Sequence, residues 1–304
     1  MRFVDVKNDV AFRKIFGNEK KTEILISFLN AVLKFEGEKR IVEVSILDPN
    51  QLPRVAGEKA SVIDVNAKDG QGRQFVIEMQ MADVDGFDKR VQFYTCRDYS
   101  MQIQRGQEYP LLKPTFFIGI LDFDFSDSPS YLSHHIILNG ETYEHRLKDI
   151  QFTFIELKKF NLKVTELKTL IEKWVYFIKE AEGLDVIPDH VDDEGLKEAY
   201  KDAEKHRWNK AELRAYDNFG IAIQDEKGRM IAAEKRGKKK GEKKGERKAK
   251  KKAKKKAREE KEAVIERCWK EGMAIEMISK IVQLPIEEVA KIIEEIKARK
   301  EDEK

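Results

Sequence analysis

One run of nine residues, TFFIGILDF (115–123), is apolar at almost every position. A strand with one wet face alternates apolar and polar residues, so a run without alternation is expected of a strand covered on both faces. That demands a sheet with helices on both sides, and the rest of the chain has to supply them.

Ahead of this strand, NDVAFRKIFGNEKKTEILISFLNAVL (8–33) opens on Asn8 or Asp9 as a helix cap and repeats Ile24, Leu25, Phe28, Leu29 and Val32 at helical spacing. VEVSILD (42–48), ASVIDVNAK (60–68) and QFVIEMQMA (74–82) read as three strands of an antiparallel meander, the last two joined across DGQG. Phe87, Val91, Tyr94 and Asp98 then step by three or four toward Gly106, which predicts a helix of roughly 20 residues ended by that glycine. SHHIILN (133–139) and IQFTFIEL (150–157) are further strands. The first 160 residues therefore read α, β, β, β, α, β, β and form an α/β core, 1–160.

Residues 161–234 turn helical, with Leu167, Leu170, Trp174, Phe177 and Ile178 on one stripe and a second helix across 194–219, and read as a helical cap. Residues 235–260 are a linker dominated by six tetrads, GKKK GEKK GERK AKKK AKKK AREE, the one clear internal repeat. As a full helix the tetrads reach about 36 Å, yet three glycines and self-repulsion make that helix marginal in isolation. Residues 261–304 read as three short helices parted by Gly272 and by Pro285, which takes a first-turn position. Ile275, Ile278, Ile281, Val282, Ile286, Val289, Ile292, Ile293 and Ile296 give them a core of helix-turn-helix size.

The net charge of +3 hides an asymmetry: residues 235–258 hold 13 Lys and 3 Arg against 2 Glu, a net of +14, and the other 280 residues carry −11. Any attraction to a polyanion is concentrated there, on Lys238, Lys239, Lys240, Lys243, Lys244, Lys250, Lys251, Lys252, Lys254, Lys255 and Lys256, as steeply salt-dependent, sequence-blind binding. No run approaches the roughly 18 apolar residues of a membrane span. The N-terminus lacks a secretory pattern, and Cys96 and Cys268 form no CxxC pair, so the chain is expected in the cytoplasm. No GxGxxG, GxSxG, HExxH or P-loop pattern occurs, and His134 and His135 point to opposite faces of their strand.

The chemistry centres on IDVNAKDGQGRQFVIEMQ (63–80). Alternation puts Ile63, Val65, Phe75, Ile77, Met79 and Met81 on a core face, and Val62, Asp64, Asn66, Val76, Glu78 and Gln80 on the other. For Asp64 and Glu78 to share that face, paired positions must sum to an even number, as a five-residue loop over 69–73 allows. Facing carboxylates on a partly covered surface ask for a neutralising partner, and Mg²⁺, which takes one or two protein carboxylates plus water and phosphate oxygens, suits them. The spacing alone fits a solvated polar hairpin better than a site.

A strand Asp, then Glu-x-Gln across a hairpin, within α, β, β, β, α, β, resembles the PD-(D/E)XK nuclease superfamily. NDVAFRKIFG, the DV of IDVNAKD, IEMQ and RVQFYTCRDYSMQIQRGQEYPLLKPTFFIGILDF (90–123) together resemble its recombination-promoting nuclease / putative transposase family, over roughly residues 4–160. The resemblance implies a restriction-endonuclease-like core: a mixed sheet flanked by helices, with a helical C-terminal extension. It implies Asp64 and Glu78 as metal-binding catalytic carboxylates and Gln80 as a third catalytic residue where many superfamily members carry Lys. Asp9 matches a family acid, with a helix cap as its plain alternative. Arg90 and Tyr94, one turn apart, are supporting candidates; a salt bridge and a core aromatic are their alternatives.

The activity so implied is a Mg²⁺-dependent endodeoxyribonuclease, with Mn²⁺ as substitute, linked to recombination or transposition or to defence against foreign DNA. DNA is the expected partner, membrane is not, and a homodimer suits double-strand cutting. The competing readings are an inactive nucleic-acid-binding protein of this fold and an RNA-directed nuclease.

Overall fold

The computed structural model describes residues 2–47 and 64–301, so the expected strand at 60–68 begins, for its first four residues, outside the described part. Six strands, β1 (Val44–Leu47), β2 (Val65–Asp69), β3 (Gln74–Gln80), β4 (Thr115–Leu121), β5 (Leu132–His135) and β6 (Ile150–Glu156), form one mixed sheet in the order β1-β2-β3-β4-β6-β5. β1, β2 and β3 are the expected antiparallel meander. β4 is parallel to β3 and to β6, and all seven of its residues are buried.

Helices cover both faces. On one side α1 (Asp9–Phe16), α2 (Thr22–Leu33), α4 (Leu170–Glu180) and α5 (Glu194–Ala203) pack on Val65, Phe75, Ile77, Phe116, Ile118 and Ile120. Phe16, Phe28 and Trp174 meet ring to ring at 5.0 to 5.7 Å in that layer. On the other side α3 (Phe87–Ser100) sets Phe87 and Val91 against Val76, Phe117, Leu121 and Phe154. Asn66 Nδ2 donates to Asp98 Oδ1 at 3.0 Å and ties the far end of α3 to β2.

Several boundaries differ from the sequence reading, each for a tertiary reason. α3 has 14 residues, and Gly106 lies six residues beyond its end in a loop. The Gln102 side chain bonds the backbone of Lys113 in both directions and Thr115 Oγ1, drawing the chain toward β4 in place of a further helical turn. The helix expected across 194–219 is two: the N-terminal segment bonds at the break, Val4 N–H to Ala203 O and Lys205 N–H to Arg2 O, both 2.9 Å, which turns Glu204 extended. α6 then runs Lys210–Lys270.

The chain divides into two compact units, residues 1–223 and 224–304. In the second, the tetrads are helical within α6 and exposed along their whole length. Ile265 of α6 joins Ile278 and Val282 of α7 (Ile275–Val282) and Val289, Ile292, Ile293 and Ile296 of α8 (Ile286–Glu301) in a small core. Ile281 and Ile286, expected in that core, are about half exposed, and Pro285 stands one residue ahead of α8, its carbonyl accepting from Glu288 and Val289. Among the described residues no helix is long and apolar enough to cross a membrane.

Candidate active site

The pairing of β2 with β3 runs Val65 to Ile77 and Asn66 to Val76, with Lys68 and Gln74 closing a five-residue loop. Continued one residue past the end of β2, this register sets Asp64 opposite Glu78, both buried. Gly119 is the partner of Glu78 on β4, so no side chain rises beside the carboxylate from that strand. A Cβ there would stand 2.9 Å from the Phe154 ring.

Asp64 Oδ2 accepts the Met79 backbone N–H at 2.7 Å, and Oδ1 accepts from Arg13 Nη2 at 2.8 Å. Arg13 lies one turn after Asp9 on α1 and also pairs with its carboxylate, at 3.0 Å. The cap of α1 is Asn8, whose side chain accepts from the Val10 N–H, so Asp9 is free to face Asp64. Burial first, then the charge of Asp64, raises Asp9 from 3.8 to about 6, against the pull of Arg13. Burial likewise raises Glu78 from 4.5 to about 7, opposed by Arg90 and reinforced by Asp64 and Asp9.

Of the sequence candidates on α3, Arg90 meets those on β3. Arg90 Nη2 donates to Gln80 Oε1 at 2.8 Å and stands 3.6 Å from Glu78 Oε2, its guanidinium over the Phe87 ring. Gln80 Nε2 donates to Ala82 O at 3.0 Å, so both ends of the amide are engaged. Tyr94 is buried one turn beyond Arg90, with the Phe93 ring edge-on to it at 5.4 Å. The tether lysines belong to α6 in the second unit; among the described residues only Lys255 and Lys256 of that set pair with carboxylates, those of Glu259 and Glu260.

Arg13 was missed in the sequence, although its i, i+4 spacing from Asp9 was the available signal.

A family model described as PD-(D/E)XK nuclease family transposase matches residues 6–233, three quarters of the chain. The chain belongs to this family. The match to the PD-(D/E)XK nuclease family transposases contains every site residue above and ends before the lysine tetrads. No curated protein and no solved structure matches the chain. The mixed six-stranded sheet with flanking helices agrees with membership.

Among the described residues no three His, Cys, Asp or Glu side chains converge closely enough to hold a metal ion by themselves. The donors still fit a hard dication that keeps most of its water. Asp64 and Glu78 offer two oxygen ligands, and burial and mutual repulsion hold up the proton affinity of Glu78 and Asp9 until positive charge arrives.

This arrangement makes Glu78 a liability in the metal-free protein. A carboxylate raised from 4.5 to about 7 destabilises the fold by about 3 kcal/mol where it is ionised, fully above pH 7 and not at all below about pH 4.5. Glu78→Gln is therefore expected to raise urea-denaturation stability by about 2 kcal/mol at pH 8 in EDTA, with the gain fading as pH falls to 4.5. A pH-independent difference between the two proteins would refute the burial argument.

Proposed function

We propose that the protein is a metal-dependent DNA endonuclease that hydrolyses phosphodiester bonds. The observation that carries this reading is the even register that faces Asp64 with Glu78 on a covered sheet surface, inside a nuclease-family match. Asp64 and Glu78 would hold Mg²⁺ or Mn²⁺, which supplies a more acidic bound water and positive charge for the phosphate in transit. Arg90, braced by Gln80, is set to meet a non-bridging phosphate oxygen beside Glu78. Asp9 shares the Arg13 guanidinium with Asp64, and through it helps keep Asp64 oriented. Belonging to this family supports a link to recombination or transposition, with defence against foreign DNA as another setting.

Gln80 is read here as the brace of Arg90. Gln80→Ala is expected to lower cleavage roughly tenfold by letting Arg90 close on Glu78, whereas Gln80→Lys retains part of it if the amide stands where a lysine could serve. Equal activity of the alanine variant and the parent would remove the bracing role.

One observation favours the non-catalytic alternative: both Asp64 oxygens already have partners, in Arg13 and Met79. Supercoiled plasmid incubated with the purified chain in Mg²⁺, Mn²⁺ or EDTA separates the readings. Nicking or linearisation in metal and none in EDTA is the expected result; retention in a gel without cleavage supports the binding protein. Single-stranded RNA beside the plasmid tests the RNA-directed reading.

A further inference from the structure

β5, four residues long, closes the sheet at one edge, and this edge carries none of the charged residues or prolines that usually blunt such strands. Among the described residues it pairs with β6 on one side only. The Glu156 N–H donates to Tyr131 O at 2.7 Å, so in the alternating antiparallel pattern Ser133 and His135 bond to β6 while the backbone groups of Leu132 and His134 point off the sheet. Ser130 Oγ serves Leu132 on both counts, at 3.3 and 2.8 Å, and leaves His134 as the outward-facing backbone position.

The composition of the edge is equally unusual. From Ser128 to Gly140 there is no charged residue, in a chain of which 38% is charged. Natural sheet edges are ordinarily blunted by lysine, proline or a bulge, and none of these residues occurs from Ser130 to Gly140. Beyond β5, Ile136, Ile137 and Leu138 are each 43% exposed. The Asn139 side chain accepts from Glu141 and Thr142 N–H, and the turn it makes presents Tyr143 at 75% exposure and φ +57, where a bulky residue is strained. Leu147, 63% exposed, follows. Beside Ile136 and Ile137 opens a cavity of about 290 Å³ floored by Phe125, Phe152 and Phe154.

We propose that this edge is a two-fold interface between two copies of the chain, β5 pairing antiparallel with its counterpart and the apolar side chains closing beside it. A two-fold axis sets a strand antiparallel to itself, so the outward groups of His134 find their complement in the second copy. The strand and its continuation to Gly140 are uncharged, and the flanking exposed Glu141, Glu144, Arg146 and Lys148 balance in sign, which suits a copy of itself and gives a polyanion no net positive charge to bind. Ile136, Ile137, Leu138, Tyr143 and Leu147 together expose on the order of 500 Å², more than half of the roughly 800 Å² each partner contributes to a standard interface. On the nuclease reading, two copies also bring one active centre to each strand of a duplex.

The test reads mass and does not depend on cleavage. Sedimentation of the full chain over a wide concentration range is expected to show a dimer, and Ile137→Lys, which would place an unpaired charge in the apolar contact beside the strand pair, is expected to weaken it by at least roughly 100-fold with unchanged circular dichroism. His134→Cys, in a Cys96→Ser, Cys268→Ser background, is expected to form a disulfide-linked dimer on mild oxidation, because facing positions on antiparallel strands lie within disulfide reach. This variant decides the matter if Ile137→Lys does not fold. A parent that stays monomeric, a dimer indifferent to Ile137→Lys, or no cross-link through position 134 overturns the proposal.

Discussion

Asp64→Ala and Glu78→Ala each lower plasmid cleavage by roughly 10³-fold in Mg²⁺, since losing a metal ligand forfeits several kcal/mol of charge stabilisation on the reacting phosphate. The two variants differ in what else they disturb. Asp64→Ala strips the buried Met79 N–H and the Arg13 guanidinium of their acceptor, so about 1–3 kcal/mol of stability goes with the activity. Asp64→Asn, which keeps an acceptor oxygen for Met79, is the matched control and is expected to be equally inactive but better folded. Glu78→Ala removes a carboxylate that burial already disfavours, so loss of cleavage comes with little loss of melting temperature. A second readout is independent of turnover: Mn²⁺ is expected to raise the melting temperature of the parent and to leave both alanine variants unmoved. Cleavage that survives either substitution, or that survives EDTA, sinks the metal assignment.

Deleting residues 235–260 is expected to weaken plasmid binding by at least about 100-fold near 0.1 M salt and to flatten its salt dependence by about five units of slope, if some six phosphates are neutralised by the tetrads. Deletion also shortens the chain, so a second variant replaces Lys250, Lys251, Lys252, Lys254, Lys255 and Lys256 by Gln while preserving helix propensity. It is expected to lose much of the same slope. Cleavage measured at saturating DNA should stay near the parent value, because the tetrads lie outside the family match and in a different compact unit from Asp64 and Glu78. Unchanged salt dependence in both variants would remove the tether from the binding account.

The parts of the fold legible in the sequence are those written in side-chain pattern. The unbroken apolar run of β4 announced a strand covered on both faces, and all its residues are buried. Alternation over 63–80 separated Phe75, Ile77 and Met79 from Glu78 and Gln80, and a five-residue loop allowed the even register that the paired strands display. Even the helix cap was within reach, since Asn8 and Asp9 were the two alternatives and Asn8 takes the role.

What could not be read depends on contacts between residues far apart in the chain. Nothing local distinguishes 194–219 from one helix; the break at Glu204 comes from Arg2 and Val4 bonding to its neighbours. The length of α3 was overestimated because Gln102 binds Lys113, eleven residues away, and ends the helix well before Gly106. Arg13 carried no motif, and its place in the site follows from α1 lying against the end of β2. The exposed edge at β5 was likewise invisible, because SHHIILN reads as an ordinary strand until the sheet order leaves it outermost.

The sequence by itself determined the two-sided α/β core, the face that carries Asp64 and Glu78, and the confinement of positive charge to one segment, because periodicity and composition are local properties. Only the tertiary structure decided that Asp9 and Arg13 join those carboxylates, that Arg90 leans on Gln80, and that among the described residues β5 pairs with β6 alone. Each is a meeting of distant segments, fixed by how the helices pack on the sheet.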